Sequence, residues 1–137
     1  IIMFIYSKKN RKKILGAIFK YKNISRKRNN ISPINEYIQA STQKLKKNEV
    51  IKSHIHLKNK RNIFSTQEIW IVLKGKLSIE IFDIDKKKIK GFILNKGDMY
   101  ILFRGGHSFK VLKDNTEFYE IKNGPYKKTI KDIEYLN

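Results

Sequence analysis

Closely spaced β-rich runs between short turns constrain the fold of this chain more than any other feature of its sequence. From Ile69 the chain reads IWIVLKGKLSIEIFDID, in which two runs rich in β-branched residues meet at residues 74–76. A second turn at residues 83–88 leads to IKGFIL, and residues 96–98 lead to MYILF. Short strands at this spacing, with Gly and Asp turns and no 3.6-residue apolar stripe, are typical of an all-β barrel or sandwich.

Further strands are predicted on either side of this region. TEFYEIK, before Asn123-Gly124-Pro125, predicts a strand, as does ILGAIFKYKNI near the start, whereas INEYIQASTQKL fits a strand or a short helix. The stretch 20–30 is loop-like, and KKTIKDIEYLN at the end fits a helical turn. We expect one domain: an N-terminal strand-rich arm over residues 1–36 that packs on or extends the sheet, a barrel over 37–126 and a tail over 127–137.

The composition is that of one globular domain. The chain has 137 residues, of which 40% are apolar and none is cysteine, so disulfides, thiolate metal sites and a cysteine nucleophile are excluded. The apolar start IIMFIY precedes its basic run, the reverse of a secretory signal, and no apolar window approaches 18 residues. We expect a soluble cytoplasmic protein without a membrane span. The chain does not begin with Met, which fits a trimmed protein or a fragment.

The formal net charge of +19 raises the question of nucleic-acid binding. The charge comes from 26 Lys and only 5 Arg, beside 23 Ile and 12 Asn, which are the residues that an AT-rich genome encodes most readily. A phosphate-binding protein is expected to use more Arg, because the planar guanidinium pairs bidentately with phosphate. We therefore do not expect nucleic acid as a partner, although Lys mixed with aromatic residues in KGFILNKGDMYILFRGG keeps that alternative open.

Histidine is rare in this chain, yet two of its three histidines are separated by one residue. His54 and His56 project to one side if they lie on a strand, which is the spacing that chelation from one strand requires. Glu68 opens an apolar strand, where an unpaired carboxylate is costly to bury and a cation would remove the cost. His107 follows two glycines in FRGGHSF. Taken singly, His54 and His56 also fit exposed or structural histidines, and His107 also fits a histidine at a turn.

Together these residues carry a resemblance to the cupin superfamily, whose motifs read roughly G(X)5HXH(X)3-4E(X)6G and G(X)5PXG(X)2H(X)3N. His54 and His56 supply the HXH, and Glu68 with Gly75 keeps the E(X)6G spacing. Gly97, Gly105 and His107 match the second motif. The chain also resembles small bacterial cupin-like proteins in TQEIWIVLKGKL, GGH and EIKNGPY, and the likeness covers residues 39–126.

The chain departs from the family pattern at several positions. Lys47-Asn48 lies near the place of the first glycine, and eleven residues separate His56 from Glu68, so that loop is enlarged. Phe103 replaces the proline, and Val111 occupies the asparagine position. His107 comes one residue early, which bears on the aim of its ring.

The resemblance implies a fold, a cofactor and a class of function. The fold is a single small β-barrel of the double-stranded β-helix or jelly-roll type, with one divalent metal (Fe, Mn, Ni or Zn) held by His54, His56, Glu68 and His107. Such a centre suits an isomerase, dioxygenase or lyase acting on a polar, oxygen-rich metabolite, such as a sugar derivative of surface-polysaccharide metabolism. The alternative is a non-catalytic module that binds a sugar or an acidic ligand. We favour a homodimer.

Other residues are candidates for substrate binding, while no catalytic residue is assigned. Arg61 in the enlarged loop and Arg104 before the GGH turn are candidate anion anchors, and either fits a solvated charge equally well. Tyr100, Tyr119 and Glu120 lie on predicted strands, with the side of the sheet undetermined. Gln67 should point away from Glu68 in a regular strand.

Overall fold

The computed structural model describes residues 1–25 and 27–136, and in these residues the chain forms ten β-strands and one 3-10 turn, with no α-helix. The all-β prediction is therefore confirmed. The strands are β1 (Ile2–Tyr6), β2 (Ile14–Phe19), β3 (Arg28–Asn30), β4 (Ser41–Gln43), β5 (Glu68–Lys74), β6 (Lys76–Phe82), β7 (Lys88–Asn95), β8 (Met99–Leu102), β9 (Gly106–Val111) and β10 (Glu117–Lys122).

The strands form two main antiparallel sheets and a hairpin. The five-stranded sheet has the order β1-β2-β8-β5-β10, the three-stranded sheet has the order β7-β6-β9, and β3 pairs with β4. The first 36 residues thus contribute two strands to the larger sheet. Gly75 links β5 to β6 with a φ of 80°, a left-handed conformation that glycine adopts without strain. The described strands do not close into a barrel.

The main core lies between the two sheets. Trp70, Val72 and Tyr100 of the larger sheet pack with Leu77 and Ile79 of the smaller one, and all five are buried. We call this side of the five-stranded sheet its inner face. Side chains alternate along a strand, so residues two positions apart on β5 share this face. Together with the facing residues of the smaller sheet they form the apolar core of the sandwich.

A second core covers the outer face of the five-stranded sheet. Ile69, Ile101 and Phe19 pack there with Ile31. Ile24, between β2 and β3, and Ile38, between β3 and β4, join them. Because β5 and β8 are buried on both faces, they read in the sequence as nearly continuous apolar runs.

Three segments outside the main sheets differ in how well their predicted local structure agrees with the fold. INEYIQASTQKL contributes only the three-residue strand β4, and no helix is found there. The tail forms a single turn, in which the Ile130 N–H donates to the Lys127 carbonyl at 3.2 Å. The strand expected around His54 and His56 is absent from the described structure, where residues 44–66 contain no strand. No helix in the part of the chain described is long and apolar enough to cross a membrane.

Candidate functional site

Glu68 is the first residue of β5 and lies on the inner face. It is directly opposite Leu102 of β8 and Lys122 of β10, and it shares the inner face with Trp70, two residues along the strand. Only 9% of its side chain is exposed. The apolar run that follows it places β5 inside the sheet, between β8 and β10, and this placement buries the carboxylate.

His107 approaches Glu68 from the opposite sheet. It lies on β9 next to Ile81 of β6, which is part of the main core, and its ring centroid is 4.6 Å from that of Trp70. His107 Nε2 is 3.3 Å from Glu68 Oε2. This is an ion-pair distance without hydrogen-bond geometry, so Oε2 is buried without a hydrogen-bond donor from residues 1–25 or 27–136. The sandwich therefore brings together two of the four residues predicted as metal ligands.

Lys122 completes the cluster, although it was not among the site residues predicted from the sequence. Its Nζ is 3.0 Å from Glu68 Oε1 and 3.3 Å from Glu120 Oε1. Glu120 lies opposite Trp70 in the β5–β10 register, so it shares the inner face with Lys122. The alternation in EIK puts Glu120 and Lys122 on one side of β10, but only the register between strands far apart in sequence places them beside Glu68.

Burial and charge shift the protonation of this cluster. Burial lowers the pKa of His107 from its usual value, although the charges of Glu68 and Glu120 act in the opposite direction. The hydrogen bond to Glu68 raises the pKa of Lys122, with a further contribution from Glu120. Burial thus favours the neutral form of the imidazole, which is the form that binds a metal, and the carboxylates favour the charged form of the ammonium.

Two aromatic rings form the floor of the site. Trp70 and Tyr100 are fully buried and stack with centroids 5.7 Å apart and planes 3° from parallel. Tyr100 was predicted to bind substrate; its burial raises the pKa of its hydroxyl, which stays protonated. Neither Trp70 Nε1 nor the Tyr100 hydroxyl has a hydrogen-bond partner among the described residues. Unpaired buried donors are costly, so these two polar groups reduce the stability that the interior contributes.

The structure does not bring His54 and His56 to this cluster. Both are exposed in the segment 44–66, with ring centroids 5.2 Å apart, and His54 Nδ1 is 2.8 Å from the Lys52 carbonyl oxygen. The expectation that they share one face of a strand fails here, because a segment rich in Lys and Asn has no paired neighbour and buries no apolar face. In the described residues no three His, Asp or Glu side chains are grouped to hold a metal ion.

The remaining candidates occupy different places. Arg61 is exposed in the same segment, and Tyr119 is 59% exposed, on the side of β10 opposite to Lys122. Arg104 is engaged by the protein itself, because Nη2 donates to both Glu36 oxygens at 2.7 and 2.8 Å and Nη1 contacts the Ile14 carbonyl. The Arg104 guanidinium, predicted as a candidate anion anchor, is thus paired within the protein in this structure.

Gln67 points away from the site, as alternation requires. It is buried on the outer face, where its Nε2 donates to Glu36 Oε2 at 2.7 Å and its Oε1 accepts from the Ile38 N–H at 2.9 Å. Glu36 thus joins Arg104 and Gln67 in one partly buried network on the outer face of the sheet.

The side chains at the site include donors that a divalent metal accepts. The Glu68 carboxylate has an unpartnered oxygen and the His107 imidazole faces it, which are oxygen and nitrogen donors of the kind that Fe, Mn, Ni and Zn accept. These two donors fit a metal, while Lys122 holds the other oxygen of Glu68. Comparisons with protein-family models, with curated proteins and with solved structures found no match to this chain.

Proposed function

We propose that this protein is a metal-binding cupin that acts as a small metal-dependent enzyme of the isomerase, dioxygenase or lyase type on a polar, oxygen-rich metabolite. The observation that carries the proposal is the buried Glu68 carboxylate, whose unpartnered Oε2 faces His107 at 3.3 Å between two sheets. A buried carboxylate without full compensation is costly, and a bound cation provides that compensation.

The free edge of β9 gives His54 and His56 a route to this centre. Among the described strands β9 pairs only with β6, so its other edge can accept a further strand. Glu68 follows His56 by twelve positions, and an extended chain of that length spans up to about 40 Å. The segment around His54 is therefore long enough to reach the edge of β9.

A fourth strand at this edge would complete the predicted ligand set. Alternation places His54 and His56 on one side of such a strand, and the register that faces them inward directs both rings towards Glu68 and His107. The added strand would also extend the three-stranded sheet towards the closed jelly roll that the resemblance implies. Mixed imidazole and carboxylate ligands would hold one divalent ion, which supplies Lewis-acid or O2-binding chemistry when bound.

The other residues of the site would bind and shield the metabolite. Trp70 and Tyr100, both fully buried, would close the interior side of the site. Glu120 and Lys122 lie at the entrance, with 43% and 45% of their side chains exposed. A non-catalytic module that binds the same kind of ligand is the alternative, and turnover of a metabolite panel separates the two.

Metal content tests the proposal. Protein purified without a His tag should carry close to one divalent ion per chain after incubation with metal and desalting. Glu68→Gln and His107→Gln should each reduce this content at least about tenfold, because each removes one ligand. Glu80→Gln is the matched control, since Glu80 lies on β6 with its side chain on the face opposite to that of Ile81, and it pairs there with Lys88. Content below about a tenth of an ion per chain, unchanged in the variants, would contradict the proposal.

A further inference from the structure

The position of Lys122 poses an electrostatic problem for a metal at Glu68. Lys122 and Glu68 are directly opposite in the β5–β10 register, and Lys122 Nζ is 3.0 Å from Glu68 Oε1. Glu68 is nine-tenths buried with its second oxygen unpartnered. A divalent ion bound to Glu68 and His107 would lie within a few ångströms of the ammonium, where two cations repel each other strongly.

We propose that the Lys122 ammonium supplies the positive charge that neutralises Glu68 in the metal-free protein. When the ion binds, the ammonium is displaced from Glu68 and pairs with an anionic ligand. This inference rests on the proposed function. Lys122 suits the role because 45% of its side chain is exposed and its stem is flexible, so the ammonium can turn towards solvent without unpacking the core.

Glu120 determines where the displaced ammonium goes. Its Oε1 is 3.3 Å from Lys122 Nζ and its side chain is 43% exposed. Glu120 therefore keeps Lys122 beside the site, near solvent, after the ammonium has separated from Glu68. An ammonium has three N–H donors, so pairing with the single Glu120 carboxylate leaves some of the Lys122 donors available to a ligand. The ligand class that fits a metal flanked by such a group is an oxyanion, a carboxylate or phosphate that binds the ion with one oxygen and Lys122 with another.

Metal affinity provides the first test. Co2+ titrations followed by absorbance should give a dissociation constant at least about tenfold smaller for Lys122→Met than for the wild type, because coupling between close charges is of that order or larger. Lys122→Arg, which keeps the charge, should stay close to the wild type. Lys110→Met is the matched control: Lys110 is exposed on β9 opposite Ser78 and faces away from the core. It measures the general effect of removing one positive charge.

Acetate binding to the Co2+-loaded proteins provides the second test. The wild type and Lys122→Arg should bind acetate at least about tenfold more tightly than Lys122→Met. Acylation of lysine amines in the wild type, followed by mass spectrometry, covers the case in which the Met variant does not fold: Co2+ should accelerate labelling of Lys122 and leave that of Lys110 unchanged.

The outcomes separate this inference from the proposed function. Co2+ binding with equal affinity in wild type and Lys122→Met, metal-independent labelling of Lys122, or equal acetate affinity would overturn the inference alone. Absence of Co2+ binding from every variant would overturn the proposed function and the inference together.

Discussion

The buried carboxylates of this protein differ in how their charge is compensated. Asp98 accepts hydrogen bonds from Lys20 Nζ at 2.7 Å and from the backbone N–H groups of Tyr21 and Asn95. Glu36 binds Arg104 and Gln67. Glu68 alone of these three has a buried oxygen without a donor in the described residues. This contrast separates carboxylates that stabilise the fold from the one that we assign to a site.

Glu36→Ala should destabilise the fold strongly. The change removes the carboxylate that accepts from the Arg104 guanidinium and from the buried Gln67 amide, so we expect the free energy of unfolding to fall by about 2–4 kcal/mol. Urea denaturation of the two proteins measures it. Glu49→Ala is the control, because Glu49 forms an exposed pair with Lys27 and its loss should leave the urea midpoint unchanged. Equal midpoints for wild type and Glu36→Ala would show that the network does not stabilise the fold.

Asp98→Asn should alter the acid dependence of stability. Burial alone would raise the pKa of Asp98, but the hydrogen bonds from Lys20, Asn95 and Tyr21 outweigh it and lower the pKa below the usual 3.8. A carboxylate with a lowered pKa stabilises the folded state above the ordinary pKa, and this contribution is lost as the pH falls through the folded pKa. The difference in unfolding free energy between wild type and variant should therefore be largest near neutral pH and shrink below pH 3.8. A difference that does not change with pH would contradict this assignment.

Among the elements, β2 and β8 are held so close together that one position on β2 requires glycine. A Cβ added at Gly16 would lie 2.4 Å from the Tyr100 hydroxyl and 2.5 Å from the Ile101 carbonyl oxygen. Gly91 on β7 meets nothing closer than the Ile79 carbonyl oxygen at 3.7 Å. The two glycines thus occupy similar strands with different amounts of room.

Gly16→Ala should destabilise the protein by about 1–3 kcal/mol, because the carbonyl of the paired strand cannot move away cheaply. Gly91→Ala should be neutral or slightly stabilising, since alanine restricts the unfolded chain more than glycine does. Thermal unfolding of both variants measures the effects. Equal melting temperatures would show that the sheet relaxes around the added methyl group.

The segment around His54 should become protected when metal binds. If it pairs with the free edge of β9, amide hydrogen exchange of residues 52–57 and of β9 should slow at least about tenfold on addition of Zn2+. Exchange in the β3–β4 hairpin should not change and serves as the internal control. Metal binding without protection of residues 52–57 would show that this segment does not add to the sheet.

The elements differ in how far the sequence predicted them. β5, β6, β7 and β8 follow from runs of β-branched and apolar residues, alternating in β6 and nearly continuous in β5 and β8, between turns that contain Gly or Asp, because that pattern is local. The strand expected at His54 is absent from the structure, because alternation in a Lys-rich segment does not supply a partner strand. The proximity of Lys122 to Glu68 depends on the register between β5 and β10, which are separated by more than forty positions and which no local pattern determines.

For the whole molecule, the excess of positive charge is the dominant feature. A net charge of +19 on 137 residues favours expansion through self-repulsion, and salt screens that repulsion. The melting temperature should therefore rise between about 20 and 200 mM NaCl. Sucrose at matched osmolality, which does not screen charge, is the control. A melting temperature that falls with salt would indicate that local ion pairs outweigh the net repulsion.

Anomalous X-ray scattering from crystals grown with Zn2+ tests the central claim most directly. We predict one peak between the sheets, at about 2.0–2.2 Å from a Glu68 oxygen and His107 Nε2, with the imidazoles of His54 and His56 as its other ligands. A peak elsewhere on the surface, or none beside Glu68 and His107 at saturating metal, would contradict it.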